Sequence, residues 1–78
     1  MHQHQSTPNL TAMAAKWPSE FVSRERVSEF SGGILHPRTL ANLDSKGEGP
    51  KRIRIGRKVA YNVHDLCDWL AKRTQNIK

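Results

Sequence analysis

The spacing of the apolar residues changes at Gly49-Pro50, and this change limits the chain to folds that combine helices with a sheet. Before that point, Leu40 and Leu43 follow the three-residue spacing of a helix face. After it, apolar residues alternate with polar or basic ones over 51–55 and again over 58–63. Two alternating runs joined by Gly56-Arg57 predict a β-hairpin with a tight turn.

Local end signals predict two helices before the hairpin. Ser23 is a candidate N-cap for a helix over 24–30, which Ser31-Gly32-Gly33 would end. Pro37 fits the first position of a second helix, because the missing N–H is not needed there. This second helix is predicted to run to about Lys46 and to stop at Gly47.

A third helix is predicted after the hairpin. Asn62 is a suitable cap, and Asp65 lies in the first turn, where the helix dipole favours a negative charge. Leu66, Trp69 and Leu70 have the spacing of one apolar face. The predicted order is therefore helix, turn, helix, hairpin, helix.

The chain of 78 residues has room for one small domain, which we assign to 17–78. Residues 1–16 are predicted to be a disordered tail with a short helical turn around 10–15. The single cysteine excludes an internal disulfide. The predicted core consists of Val27, Phe30, Leu40, Leu43, Ile53, Ile55, Tyr61, Leu66, Trp69 and Leu70. In the hairpin, one side is predicted to hold Ile53, Ile55, Val59, Tyr61 and Val63, and the other Arg52, Arg54 and Lys58.

The positive charge is concentrated in the predicted hairpin. The chain has 13 lysines and arginines against 7 aspartates and glutamates, a net charge of +6. Residues 51–61 contain five of the bases and none of the acids, so this segment alone carries +5. Such a concentrated basic surface indicates a polyanionic partner, with a solvated basic loop as the alternative.

The second predicted helix has a polar face of the kind that reads DNA. Its members are Arg38, Thr39, Asn42 and Lys46. Arginine pairs with guanine and asparagine with adenine, while threonine and lysine commonly hold phosphates. His36 precedes this helix and could cap it or contact a phosphate. An amphipathic helix with a solvated polar face is the alternative. The candidate phosphate contacts of the hairpin are Arg52, Arg54, Arg57 and Lys58.

Four segments carry a resemblance to a known group of proteins. They are PRTLANL at 37–43, GP at 49–50, RIGRKVAY at 54–61 and DLCDWL at 65–70. In this order they resemble the excisionase and AlpA-like families of MerR-type winged helix-turn-helix proteins. The resemblance implies a small α+β fold with a helix-turn-helix, a two-stranded β-hairpin wing and a C-terminal helix. The segment 31–36 is longer than the corresponding turn of many members.

The resemblance also implies a function on double-stranded DNA. The helix that begins at Pro37 would enter the major groove, and the hairpin would contact the adjacent minor groove or backbone. Members bend DNA near attachment sites so that an integrase excises a prophage or mobile element, and others regulate transcription. We expect an excisionase with an integrase partner and cooperative self-association on DNA. An AlpA-type transcriptional regulator, or a module that binds acidic protein or RNA, is the alternative.

Other classes of protein lack support in the sequence. It contains no nucleophile elbow, glycine-rich phosphate loop or metal-ligand pair, so we expect no enzyme, catalytic residue, cofactor or metal site. No apolar run reaches the length of a membrane span, and the first residues lack the pattern of a signal peptide. We expect a cytoplasmic protein that associates with the bacterial nucleoid and not with a membrane.

Overall fold

The computed structural model describes residues 10–74, which form a small α+β structure. Within them the chain has four α-helices, one short 3-10 helix and a three-stranded antiparallel sheet. The elements are α1 (Thr11–Lys16), β1 (Phe21–Ser23), the 3-10 helix Arg24–Arg26, α2 (Val27–Phe30), α3 (Pro37–Ser45), β2 (Ile53–Ile55), β3 (Lys58–Asn62) and α4 (Val63–Lys72). Residues 1–9, which make up much of the expected tail, lie outside the described residues.

The sheet contains a strand that the sequence pattern did not predict. Strand β1 pairs with β3, so that the strand order is β1-β3-β2 and the predicted hairpin forms only two of three strands. Three residues are too few for a recognisable alternation. Ser23 belongs to β1 and makes no side-chain cap, so its predicted capping role is wrong. The helix predicted over 24–30 is accordingly divided into the 3-10 helix and α2.

The two isoleucines of β2 lie on the outer face of the sheet, which corrects their assignment to the core. The register pairs Ile53 with Ala60 and Ile55 with Lys58, and directly paired residues share a face. Ile53 and Ile55 therefore point away from the fully buried Tyr61, and their side chains are 42% and 61% exposed. A two-residue turn causes this, because it pairs odd positions of β2 with even positions of β3. Lys58 consequently shares the face of the isoleucines and not that of Arg54.

The buried core lies on the inner face of the sheet. Its members are Val22, Val27, Phe30, Leu35, Leu40, Tyr61, Val63, Leu66 and Cys67. Of the remaining predicted core residues, Trp69 and Leu70 pack against this cluster from partly buried positions, and Leu43 is also partly buried. Five of these nine residues were predicted from the sequence, and the four that were not are Val22, Leu35, Val63 and Cys67.

Both ends of helix α3 are stabilised by the residues from which those ends were predicted. The ring Nδ1 of His36 accepts a hydrogen bond from the Arg38 N–H at 3.2 Å, so His36 is the N-cap. At the other end Gly47 adopts a φ of 74°. This lets the Gly47 and Glu48 N–H groups donate to the Asp44 and Leu43 carbonyls at 3.0 and 2.9 Å. The chain thus leaves α3 in a fixed direction towards β2.

Helix α1 packs on the domain, so residues 10–16 are not part of a free tail. Leu10, Met13 and Ala14 have the spacing of one helix face and contact the core cluster. The next residue inward, Trp17, meets the Phe30 ring edge-on at 5.4 Å. The helical turn expected around 10–15 is present, and it contributes to packing that the sequence analysis did not expect.

Helix α4 follows β3 without a loop. The side chain of Asn62, the last residue of β3, accepts hydrogen bonds from the His64 and Asp65 N–H groups at 2.9 and 3.2 Å, as predicted. Across residues 10–74, no helix has the length and apolarity that a membrane crossing requires.

Candidate functional site

The polar face of α3 is exposed, and its side chains are free of hydrogen bonds and ion pairs to the rest of the described chain. Leu40 is fully buried, and the opposite face turns to solvent. The exposed residues include Arg38, Thr39, Asn42 and Lys46. Their side chains make no hydrogen bond or ion pair to any other residue in the described part of the chain. They are therefore available to a ligand without the loss of an existing interaction.

The four bases of the hairpin differ in their surroundings. Within residues 10–74, Arg54 and Arg57 have exposed side chains without an ion-pair partner. The Arg52 guanidinium lies 3.9 Å from a carboxylate oxygen of Asp44 on α3. The Lys58 ammonium donates to the Glu25 carboxylate at 3.0 Å, and this contact lowers the pKa of Glu25. Two of the four positive charges are thus directed at acids of the same chain.

A buried polar cluster joins α3 to the sheet. The Asp44 side chain is only 4% exposed. One of its oxygens, Oδ2, accepts hydrogen bonds from Arg24 Nη2 at 2.6 Å and from the Tyr61 hydroxyl at 2.7 Å. The Arg24 Nε also donates to the Tyr61 hydroxyl at 3.0 Å, and this bond is the main cause of a raised Arg24 pKa. Burial raises the pKa of Tyr61, so the phenol stays protonated and donates to the carboxylate.

The second oxygen of Asp44 faces Gly49, in the segment that leads to β2. Among the described residues Oδ1 has no hydrogen-bond partner. A methyl group at Gly49 would collide with this oxygen, so the backbone of residue 49 lies directly against the carboxylate. Together with the Arg24 and Tyr61 bonds, this contact fixes α3, β3 and the entry to β2 relative to one another.

The sequence analysis missed this cluster, although the sequence carries a signal for it. Asp44 is four residues after Leu40, so it lies on the apolar face of α3. A carboxylate in that position needs a buried cationic or hydrogen-bonding partner. Which residues supply those bonds depends on contacts between distant parts of the chain, and helical spacing alone does not identify Arg24 or Tyr61.

The Glu25–Lys58 contact leads to a prediction about binding to polyanions. Replacing Glu25 by Gln is expected to tighten binding to a random DNA duplex by about two- to fivefold, since an exposed pair is worth at most about 1 kcal/mol. The physical reason is that Lys58 no longer has to leave a carboxylate to reach a phosphate. Fluorescence anisotropy at low salt measures the change.

A matched control is available for this prediction. Glu29→Gln removes the same charge from an exposed ion pair between Glu29 and Arg26. Glu29 lies on α2 and Arg26 on the 3-10 helix before it, so this pair does not involve the hairpin. It is expected to change DNA affinity less than Glu25→Gln. The Glu25→Gln effect should also shrink when Lys58 is already Gln. An equal gain in DNA affinity from both glutamate variants would show that the change in net charge, and not the release of Lys58, causes the gain.

The chain was also compared with known proteins. A scan against protein-family models and a search of curated sequences each gave no match to it. The candidate site therefore rests on its own residues: the exposed face of α3, the hairpin bases, and the buried Asp44 cluster between them.

Proposed function

We propose that this protein is a sequence-specific binder of double-stranded DNA with a winged helix-turn-helix architecture. In this proposal α2 and α3 are the helix-turn-helix, α3 is the recognition helix, and the β2–β3 hairpin is the wing. The observation that carries it is the face of α3 that holds Arg38 and Asn42. Among the described residues, the side chains of this face are exposed and make no hydrogen bond or ion pair, and a fully buried Leu40 lies behind them.

Helix α3 is held in place before any ligand binds, and this supports the proposal. Base edges are read by side chains that a rigid element holds in place, whereas phosphates need only charge. Helix α3 is fixed by a cap at each end and by the Asp44 cluster, while Arg54 and Arg57 present free charge on the hairpin. This division between a positioned polar face on α3 and an exposed basic surface on the hairpin supports binding to DNA over binding to an acidic protein.

The resemblance of four segments to excisionases supports the more specific role. In that role the protein bends DNA near the attachment sites of a prophage or other mobile element and promotes excision by an integrase. It acts in the bacterial cytoplasm at the nucleoid, without catalysis of its own and without a cofactor. Several copies bind cooperatively, because one short recognition helix reads only a few base pairs. Reconstitution of excision with an integrase from the same mobile element tests this role, and control of a promoter without any effect on excision would contradict it.

The experiment that tests DNA reading separates α3 from the hairpin. Arg38→Ala or Asn42→Ala is expected to cost about 1–3 kcal/mol on a duplex selected from a random pool, and much less on a scrambled duplex. Arg57→Ala is expected to weaken both duplexes by a similar factor and to lower the salt slope by about 1. Competition binding with the two duplexes measures both effects.

Two outcomes would contradict the proposal. If the wild-type, Arg38→Ala and Asn42→Ala proteins all discriminate the selected duplex from the scrambled one equally well, this face of α3 does not read bases. If affinity for any duplex fails to fall steeply with salt, phosphate neutralisation does not drive binding, and the ligand is not DNA.

A further inference from the structure

Exposed apolar side chains gather on one face of the sheet. In the described part of the chain, the large apolar residues with exposed side chains are Phe21, Ile34, Ile53 and Ile55. Phe21 pairs with Asn62 in β3, and the two β2 isoleucines pair with Ala60 and Lys58, which lie on the same face of that strand. Three of the four therefore share what we call the outer sheet face, defined by Phe21, Ile53 and Ile55.

An open groove of about 610 Å³ adjoins this face. Phe21, Ile53, Val59 and Asn62 line it, together with three bases and one acid: Lys51, Arg52, Arg54 and Asp65. Arg54 and Val59 pair with each other on the inner face, so the groove extends past the outer sheet face at the edge of β2. The floor is fixed before any ligand arrives, because the Phe21 carbonyl accepts a bond from Trp17 Nε1 at 3.0 Å and Asn62 caps α4. A ligand thus meets an ordered apolar floor with a net positive rim.

We propose that the outer sheet face binds an acidic segment of a partner protein that carries a large apolar side chain. The apolar side chain covers Phe21 and Ile53, and the acidic groups approach the three bases. Strand β2 is an edge of the sheet, so an extended segment can also form main-chain hydrogen bonds to it. A phosphate backbone matches the charge but has no apolar group for the floor, which favours a peptide over a nucleic acid.

This surface is separate from the reading face of α3, and the inference does not depend on the proposed function. Arg52 and Arg54 are shared with the proposed DNA contacts, whereas Phe21 and Ile53 are not. Binding of a peptide in the absence of DNA therefore tests the outer sheet face alone. Its failure would leave the α3 experiments unaffected, and failure of those experiments would leave the peptide result unaffected.

The test uses the full chain and a labelled synthetic peptide of alternating glutamate and leucine. We expect this peptide to bind, and a glutamate–serine peptide of equal charge to bind at least about tenfold more weakly, as expected for burial of aliphatic side chains. Amide chemical shifts should change at Phe21, Ile53 and Asn62. Ile53→Ser should weaken binding by about tenfold, and Ile34→Ser, a 72%-exposed control that does not line the groove, should not.

Circular dichroism is the check that the Ile53→Ser protein is folded. We expect it to fold, because the Ile53 side chain is already partly exposed. Equal binding of the two peptides would show that charge alone attracts them and would overturn the proposal. Chemical shifts centred on Arg38 and Asn42 would do the same, since the peptide would then occupy the α3 face. Shifts at Phe21 and Ile53 caused by a DNA duplex, with none caused by the peptide, would assign the groove to nucleic acid.

Discussion

Replacement of Leu40 by alanine is expected to unfold much of the protein. Leu40 is fully buried at the centre of the core, and truncation of such a leucine costs about 2–5 kcal/mol. Domains have roughly 0.05–0.15 kcal/mol of stability per residue, so this cost removes a large part of the total for a chain of 78 residues. Thermal denaturation followed by circular dichroism should show a midpoint lowered by about 10 °C or more.

Leu43→Ala is the matched control for Leu40→Ala. Leu43 lies on the same helix but is only partly buried, so the same truncation should cost clearly less. If the midpoint temperature of Leu40→Ala is equal to or higher than that of Leu43→Ala, the core is organised around other residues.

Replacement of Arg24 by methionine is expected to cost about 3 kcal/mol of stability. The change leaves the Asp44 carboxylate buried with the Tyr61 hydroxyl as its remaining short hydrogen bond. Loss of one partner of a buried pair costs about 3–5 kcal/mol, and we take the lower end because the Arg24 side chain is 26% exposed. Urea denaturation measures the free energy of unfolding.

Arg26→Met provides the control two residues away. Arg26 pairs with Glu29 and lies 5.3 Å from the centre of the Trp17 ring, and because both side chains of the ion pair are more than half exposed, its loss should cost about 1 kcal/mol, clearly less than loss of Arg24. In the Arg24→Met background, Asp44→Asn should restore part of the stability, because it removes a buried charge whose remaining cation, Arg52, lies 3.9 Å away. The cluster would have no structural role if Arg24→Met and Arg26→Met proved equally stable and Asp44→Asn gave no rescue.

Local signals in the sequence predicted much of the fold. Caps and stops are encoded within a few residues, which is why His36, Gly47 and Asn62 are found at the predicted helix ends. The features that were missed depend on distant pairs. Strand β1 exists because β3 offers an edge, and Asp44 is buried because Arg24 and Tyr61 meet it there.

The candidate site divides in the same way. The exposure of the α3 face follows from helical spacing relative to Leu40, so those residues could be selected from the sequence. The contact between Lys58 and Glu25 joins residues that are 33 positions apart, and no local pattern predicts it. The position of Ile53 on the outer face of the sheet could have been predicted from the sequence, since the two-residue turn already determines which residues of β2 and β3 pair.

The two tryptophans give the molecule separate optical reporters without any label. The Trp69 indole N–H donates to the Glu48 carbonyl at 3.1 Å, at the junction between α3 and the hairpin. The Trp17 indole N–H donates to the Phe21 carbonyl in β1, the edge strand at the opposite side of the sheet from β2. A single-tryptophan protein that retains Trp69 would report, through its emission wavelength, the solvent exposure of the junction between α3 and the hairpin. One that retains Trp17 would report the docking of α1, so the two regions could be followed independently in one small chain.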